Sequence, residues 1–185
     1  MRPTQELIAE HNAVLLALQV LEKLEAVLSC EASQATEDLA QLLGFFRGFV
    51  DACHHAKEEE VLFPELERRG VGRERGPIGV MLAEHTRGRQ LVHEMSELLE
   101  RLRHGESGAA AAIAERAREY RALLVAHIFK ENNVLFPMAD RLVPDEVTAT
   151  ITGRFDAIES ERVGAGRHEA YHAMLHRLRD AYGIT

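Results

Sequence analysis

Tryptophan is absent from the 185-residue chain, and aromatic residues make up only 5% of it. An apolar share of 46% built with so few aromatics suits helix packing better than a β-sandwich, where aromatic and β-branched residues are richer. Cysteine is scarce: Cys30 and Cys53 have neither metal-site nor redox spacing. A disulfide framework is not expected, and a reducing cytoplasm is the expected location. No long hydrophobic run occurs. Residues 13–21, AVLLALQVL, are apolar but short and follow acidic residues. They read as a buried helix face rather than a signal peptide or membrane span. A basic excess is missing too. The formal net charge of −8 argues against nucleic acid as a partner, since phosphate binding needs a basic surface.

Helical spacing is present throughout. A first helix is expected to start after Pro3, with Thr4 as its N-cap, and to run to about Ser29, carrying Leu7, His11, Val14, Leu18 and Leu21 on one side. A second covers roughly 36–69, and Pro64 within it predicts a kink or restart. RRGVGRERGPIG is a connector. A third helix spans about 77–104. A fourth spans about 108–142, with Ser107 as its cap. The remaining segment reads as two shorter helices split at GAG. No segment alternates like a strand, so the fold class expected is all-α.

Two stretches dominate the chemistry: HHAKEEEVLFP at 54–64 and HIFKENNVLFP at 127–137. Aligned on their shared Val-Leu-Phe-Pro, they place His54 over His127 and Glu58 over Glu131. The first and third helices each carry Glu-His near their start, at Glu10-His11 and Glu84-His85. The separations are 74 residues for His11 to His85 and 73 for His54 to His127. A two-helix unit therefore repeats, which predicts an up-down-up-down four-helix bundle with approximate two-fold symmetry.

Residues four apart share a helix face. His54 with Glu58, and His127 with Glu131, can each turn an imidazole and a carboxylate inward. Buried carboxylates are costly unless paired or metal-bound. Imidazole with carboxylate suits iron, manganese or zinc, and two carboxylates related by a pseudo-two-fold are placed to bridge two ions. The cofactor expected is a dinuclear non-haem iron centre, with Zn or Mn as substitutes.

These motifs, Glu10-His11, HHAKEEEVLFP, MLAEHTRGRQL around His85 and HIFKENNVLFP, resemble those of the hemerythrin-like, or HHE cation-binding, family. The resemblance covers about residues 5–140. It implies His11, His54, Glu58, His85, His127 and Glu131 as metal ligands, in a bundle over 1–143 with a helical extension over 144–185 packed on it. Ferritin-type bundles use Glu-x-x-His instead. Oxygen-carrying members of the family have a second histidine one turn after that of the third helix, where this chain has Arg89. The resemblance then implies an open position on one iron, favouring reactivity or sensing over reversible oxygen carriage. Spacing alone also allows the register His55 and Glu59; the internal repeat favours His54 and Glu58.

Other residues take plainer readings. Lys57, Glu59 and Glu60 read as a solvated face, His93 and His104 as surface residues, and Cys53 and Tyr120 as core packing. Glu10 and Glu84 are candidates for the outer row of hydrogen bonds to the ligands. HEAYH at 168–172 matches the zinc-protease signature, and His176 extends its stripe. Only a short tail follows it, which leaves little room for a third ligand and a substrate cleft. The resemblance implies a packing addition here, with gating of access or a second metal as the alternative for its histidines. The functions expected are binding or sensing of oxygen or nitric oxide or handling of peroxide or iron. The alternatives are an iron-dependent enzyme or iron donor in stress repair and, further off, a zinc metalloprotease or a metal-poor adaptor. The partner is a small diatomic ligand or peroxide, without nucleic acid or membrane. A homodimer is compatible with the sequence.

Overall fold

A computed structural model describes residues 2–28, 33–74, 76–164 and 166–184, and every regular element among them is helical. Helix α1 is Pro3–Val27. Rod α2 runs over 33–68 and joins ordinary α-helix at Ser33–Phe45 and Phe63–Arg68 to widened turns at Phe46–His55 and Glu58–Leu62. Helix α3 is Pro77–Arg103. Rod α4 runs over 109–142, with one widened turn at Glu131–Leu135. Two shorter helices, α5 (Asp145–Arg162) and α6 (Arg167–Ala181), complete the described chain.

The apolar residues sort into two clusters. One gathers Val14, Leu18 and Leu21 with Phe46, Val50, Leu91, Met95, Leu124 and Ile128. The other gathers Leu7, Val61, Phe63, Met81, Leu135 and Phe136 with Ile151 and Phe155 of α5. On α1 and α3 the chain passes from the second cluster to the first; on α2 and α4 it passes back. The four long helices therefore alternate in direction, as the repeat predicted. Between the clusters, each helix carries the polar residues of one buried layer.

Several local expectations are corrected. The N-cap of α1 is Arg2, whose backbone N–H donates to Gln5 Oε1 at 3.0 Å, and Pro3 takes the first helical position, where it lacks nothing the helix needs. Thr4 is not the cap; its hydroxyl donates to Asp140 Oδ1 at 2.6 Å, tying α1 to α4. Rod α4 starts after Gly108, whose φ of +86° is left-handed, so Ser107 is not its cap. The expected end of α1 at Ser29, together with Cys30, lies outside the described residues. At GAG the chain turns through Gly164 and Gly166 with φ of +82° and +77°, conformations that glycine adopts without a Cβ clash.

Pro64 neither restarts nor breaks α2. In a widened turn the N–H bonds five residues back rather than four, so Phe63 donates to Glu58 O just before the proline. Proline has no N–H for the carbonyl four residues earlier. That carbonyl, Glu60 O, instead accepts from Arg154 Nη2 of α5 at 2.8 Å. The same arrangement recurs on α4, where Phe136 donates to Glu131 O ahead of Pro137.

Helix α6 is seated by Tyr171, whose ring meets Phe45 edge-on at 5.5 Å, over Gly48. A Cβ at position 48 would lie 2.1 Å from Tyr171 Oη and 3.1 Å from its Cζ. Gly48→Ala is therefore expected to lower stability by about 1–3 kcal/mol through overpacking. Tyr171→Phe removes only the nearer atom and should return part of that loss. A double-mutant cycle in urea that gives strictly additive effects would contradict this contact.

Candidate metal centre

A straight α-helix turns 100° per residue, so adjacent side chains diverge; a widened turn holds more residues and they diverge less. The widened stretches of α2 thus bury His54, His55 and Glu58 together. The structure brings the expected His11, His54, Glu58, His85, His127 and Glu131 into one layer, every one of them buried. Of the two registers, His54 and Glu58 face this layer. Glu59 points to its rim.

The six side chains form two imidazole pairs spanned by two carboxylates. His11 Nε2 lies 3.1 Å from His54 Nε2, and His85 Nε2 lies 3.2 Å from His127 Nε2. Glu131 sets Oε2 at 3.2 Å from His11 Nε2 and Oε1 at 3.1 Å from His127 Nε2. Glu58 sets Oε1 at 3.9 Å from His54 Nε2 and Oε2 at 3.3 Å from His85 Nε2. Each carboxylate therefore offers one oxygen to each imidazole pair.

An outer row decides where the imidazole protons sit. His54 Nδ1 donates to Glu10 Oε2 at 2.7 Å, and His127 Nδ1 to Glu84 Oε2 at 2.9 Å. His85 Nδ1 donates to Glu59 Oε1 at 2.7 Å, and His11 Nδ1 to Asn132 Oδ1 at 2.9 Å. These acceptors hold the proton on Nδ1, so a neutral ring points its Nε2 lone pair inward. All four oxygens of Glu58 and Glu131 are buried without a hydrogen bond. Lone pairs thus converge from every side on a layer enclosed by apolar clusters, an arrangement that needs positive charge.

Without a metal that charge can come only from protons. Burial, reinforced by the facing Glu131, pushes Glu58 well above the usual carboxylate range. Burial also opposes ionisation of Glu131, but the His127 and His11 rings outweigh it and hold that carboxyl well below the range. His127 is pushed up to about 9, because Glu131 and Glu84 overcome the burial that would depress it. Burial depresses His54 and His85. The donor set fits a pair of cations: nitrogen and carboxylate oxygen without thiolate, as iron, manganese or zinc prefer.

Glu10 and Glu84 do form part of the outer row, each bonded to the histidine across the hairpin rather than to its own neighbour. Three residues depart from their expected surface or unassigned roles. Glu59 is half-buried and holds His85, and Arg89 fixes it in turn through Nη2 at 2.7 Å. Asn132 holds His11. Lys57 is fully buried rather than solvated, its ammonium 2.5 Å from Glu10, 2.8 Å from Glu6 and 3.1 Å from Glu159. The repeat itself carried the missing signal, since its 73-residue offset pairs Glu59 with Asn132 and Lys57 with Lys130. Glu60 is exposed and paired with Arg162, as a surface residue should be.

The HEAYH stripe stands apart from this layer. His168 and His172 face each other with Nε2 atoms 3.0 Å apart, and His168 Nδ1 lies 2.8 Å from Glu159. Among the described residues, no group of three close metal donors includes either ring, and Glu169 and His176 are exposed. Glu10, Cys53 and Glu159 do converge, but the Lys57 ammonium already bridges both carboxylates.

Comparison with known proteins bears on this layer directly. The family model described as the hemerythrin HHE cation-binding domain matches residues 2–139. Among curated proteins, the chain is similar to the iron–sulfur cluster repair protein YtfE of Yersinia pseudotuberculosis serotype IB (strain PB1/+). It is equally similar to the protein of that name from Yersinia pestis (strain Pestoides F). Each is 33% identical over 116 residues, which cover 62% of this chain and 47% of the relative. The chain thus spans about half the length of the curated relatives it matches. No described helix is long and apolar enough to cross a membrane.

Cys53, beside the layer, is fully buried, and burial pushes its thiol up to about 12. A protonated, enclosed thiol is a poor nucleophile. In a Cys30→Ser background at pH 8, Cys53 is expected to resist thiol reagents in the folded protein and to react rapidly in denaturant. Fast labelling of the folded chain would contradict the packing described.

Proposed function

Because the chain belongs to the hemerythrin HHE cation-binding domain family, we propose that His11, His54, Glu58, His85, His127 and Glu131 hold a pair of non-haem iron ions. Zinc and manganese are the substitutes that the same donors accept. On this reading residues 1–143 are the metal-holding bundle, and 144–185 are an extension closing one flank. The protein handles iron in the cytoplasm under oxidative or nitrosative stress, with oxygen, nitric oxide or peroxide as the small molecule that meets the centre. Its relatives' printed name, iron–sulfur cluster repair protein, favours stress repair over oxygen transport.

One observation carries the reading: eight inward-facing donor atoms meet in a dry layer with no proton donor fixed between them. Bound iron supplies the redox chemistry toward the small molecule. The chain does the rest. Glu10, Glu59, Glu84 and Asn132 keep the rings oriented by holding each Nδ1 proton. Phe136 stacks on His11 at 5.6 Å and Phe63 on His85 at 6.0 Å, so one side of the layer is sealed against water by aromatic faces. A gas sensor is the second reading. It is favoured by Arg89, which stands where oxygen carriers have a histidine.

Anaerobic loading with ferrous iron is expected to reach two ions per chain. Spectra with oxygen, peroxide and nitric oxide, together with iron transfer to an apo iron–sulfur protein, then separate sensing from repair. At free metal a hundredfold above Kd, binding should stabilise the fold by about 2.7 kcal/mol. For a chain of this size that raises Tm by roughly 5–10 °C. His127→Ala should lose at least one ion and most of that rise, whereas His172→Ala should keep both. Full iron content in His127→Ala would overturn the ligand set.

A further inference from the structure

We propose that His55 is a further metal-binding residue, a third imidazole for the ion held by His85 and His127; this rests on the ligand set proposed above. His55 is buried at 4% exposure, and its Nδ1 has no hydrogen bond. Asp51 Oδ1 stands 3.6 Å away, beyond hydrogen-bond reach, and already accepts from Arg89 Nε at 2.6 Å. A buried ring nitrogen left unpaired loses its hydration with nothing in return. Every other imidazole of the layer is satisfied at Nδ1 by an outer partner. His55 alone has none.

Its position supplies the reason. A ring nitrogen of His55 and ring nitrogens of His85 and His127 all lie within 4.8 Å of one another. The ring lies flat on His85, with centroids 3.8 Å apart and planes at 15°, and meets His127 edge-on at 5.9 Å. On its other side is a cavity of about 210 Å³ lined by Phe46, Asp51, Gly88, Arg89, Val92 and Tyr120. The ring therefore has space to turn off His85, unlike a side chain locked in a close-packed core. In the repeat, the residue matching His55 is Ile128, an ordinary buried aliphatic. Nitrogen has replaced carbon in one half only, at the ion next to Arg89. The widened turn at Phe46–His55 is what brings this residue inward beside His54.

The test titrates the metal-free full chain with Zn(II) and with Co(II). His55→Phe keeps a flat ring against His85 but offers no nitrogen. Loss of even an outer-row partner weakens metal binding 10–100-fold, so this variant should weaken one of the two binding steps at least tenfold. It should also alter the Co(II) visible spectrum and leave the other step unchanged. The wild-type chain gives an independent readout that requires no variant: with ¹⁵N-labelled histidine and two zinc ions bound, five imidazoles should show metal-shifted nitrogens. Four such imidazoles, or equal affinities and an unaltered cobalt spectrum in His55→Phe, overturn the proposal while the ligand set stands. A wild-type chain that binds fewer than two ions overturns both.

Discussion

Two glutamates, Glu58 and Glu131, face one another in a fully buried layer, and no hydrogen bond satisfies any of their four oxygens. Buried carboxylates carry a desolvation penalty of several kcal/mol each unless opposite charge compensates them. The rest of the molecule answers that penalty. Apolar clusters above and below keep the layer dry. Four imidazoles surround the carboxylates, and an outer row of acceptors aims those imidazoles inward. A chain that needed only stability would fill the layer with leucine. This one retains a cluster whose donors suit cations.

The helical rods and the principal donors were legible because the repeat is written twice. Val-Leu-Phe-Pro aligns the two hairpins, and the alignment distinguishes His54 from His55 and Glu58 from Glu59 without any coordinates. What the pattern hid was the pitch of the helix. At 100° per residue, Lys57 and Glu59 point away from a face that carries His54 and Glu58. In the widened turn Glu59 comes round to its rim and reaches His85, and Lys57, just before that turn, is enclosed by Glu159 and Phe155 of α5. In the sequence Pro64, and by the repeat Pro137, suggests an interruption. They sit instead just past turns that leave the freed carbonyl accessible, and Arg154 fills that place on α2.

The outer row was half legible for a related reason. Glu10 and Glu84 stand beside candidate ligands in sequence, but adjacent residues on a straight helix cannot serve each other. Each serves the histidine of the next helix instead, so the hydrogen bonds run across the hairpins and bind α1 to α2 and α3 to α4. Glu59 and Asn132 run between the two hairpins, from α2 to α3 and from α4 to α1. A ring of four such bonds holds the bundle closed at the depth of the donors. Orientation of the imidazoles and cohesion of the bundle are one set of contacts.

That ring is not symmetric, and the asymmetry comes from the C-terminal helices. Lys57 and Lys130 occupy matching places in the repeat, each paired with the glutamate that orients a histidine. Lys130 is partly exposed, so water screens its pairing with Glu84. Lys57 is fully enclosed, because Glu159 and Phe155 of α5 close over it, the ring at 5.8 Å from the ammonium. Its charge therefore acts through a drier medium, where Coulomb interactions are several times stronger. Burial would raise Glu10, but its contact with His54 and then with the Lys57 ammonium holds it below the usual range. The carboxylate behind His54 thus shares its lysine in an enclosed site, whereas the one behind His127 shares a partly exposed one. Two halves that match in their donors are made unequal by a neighbour that encloses the lysine of only one.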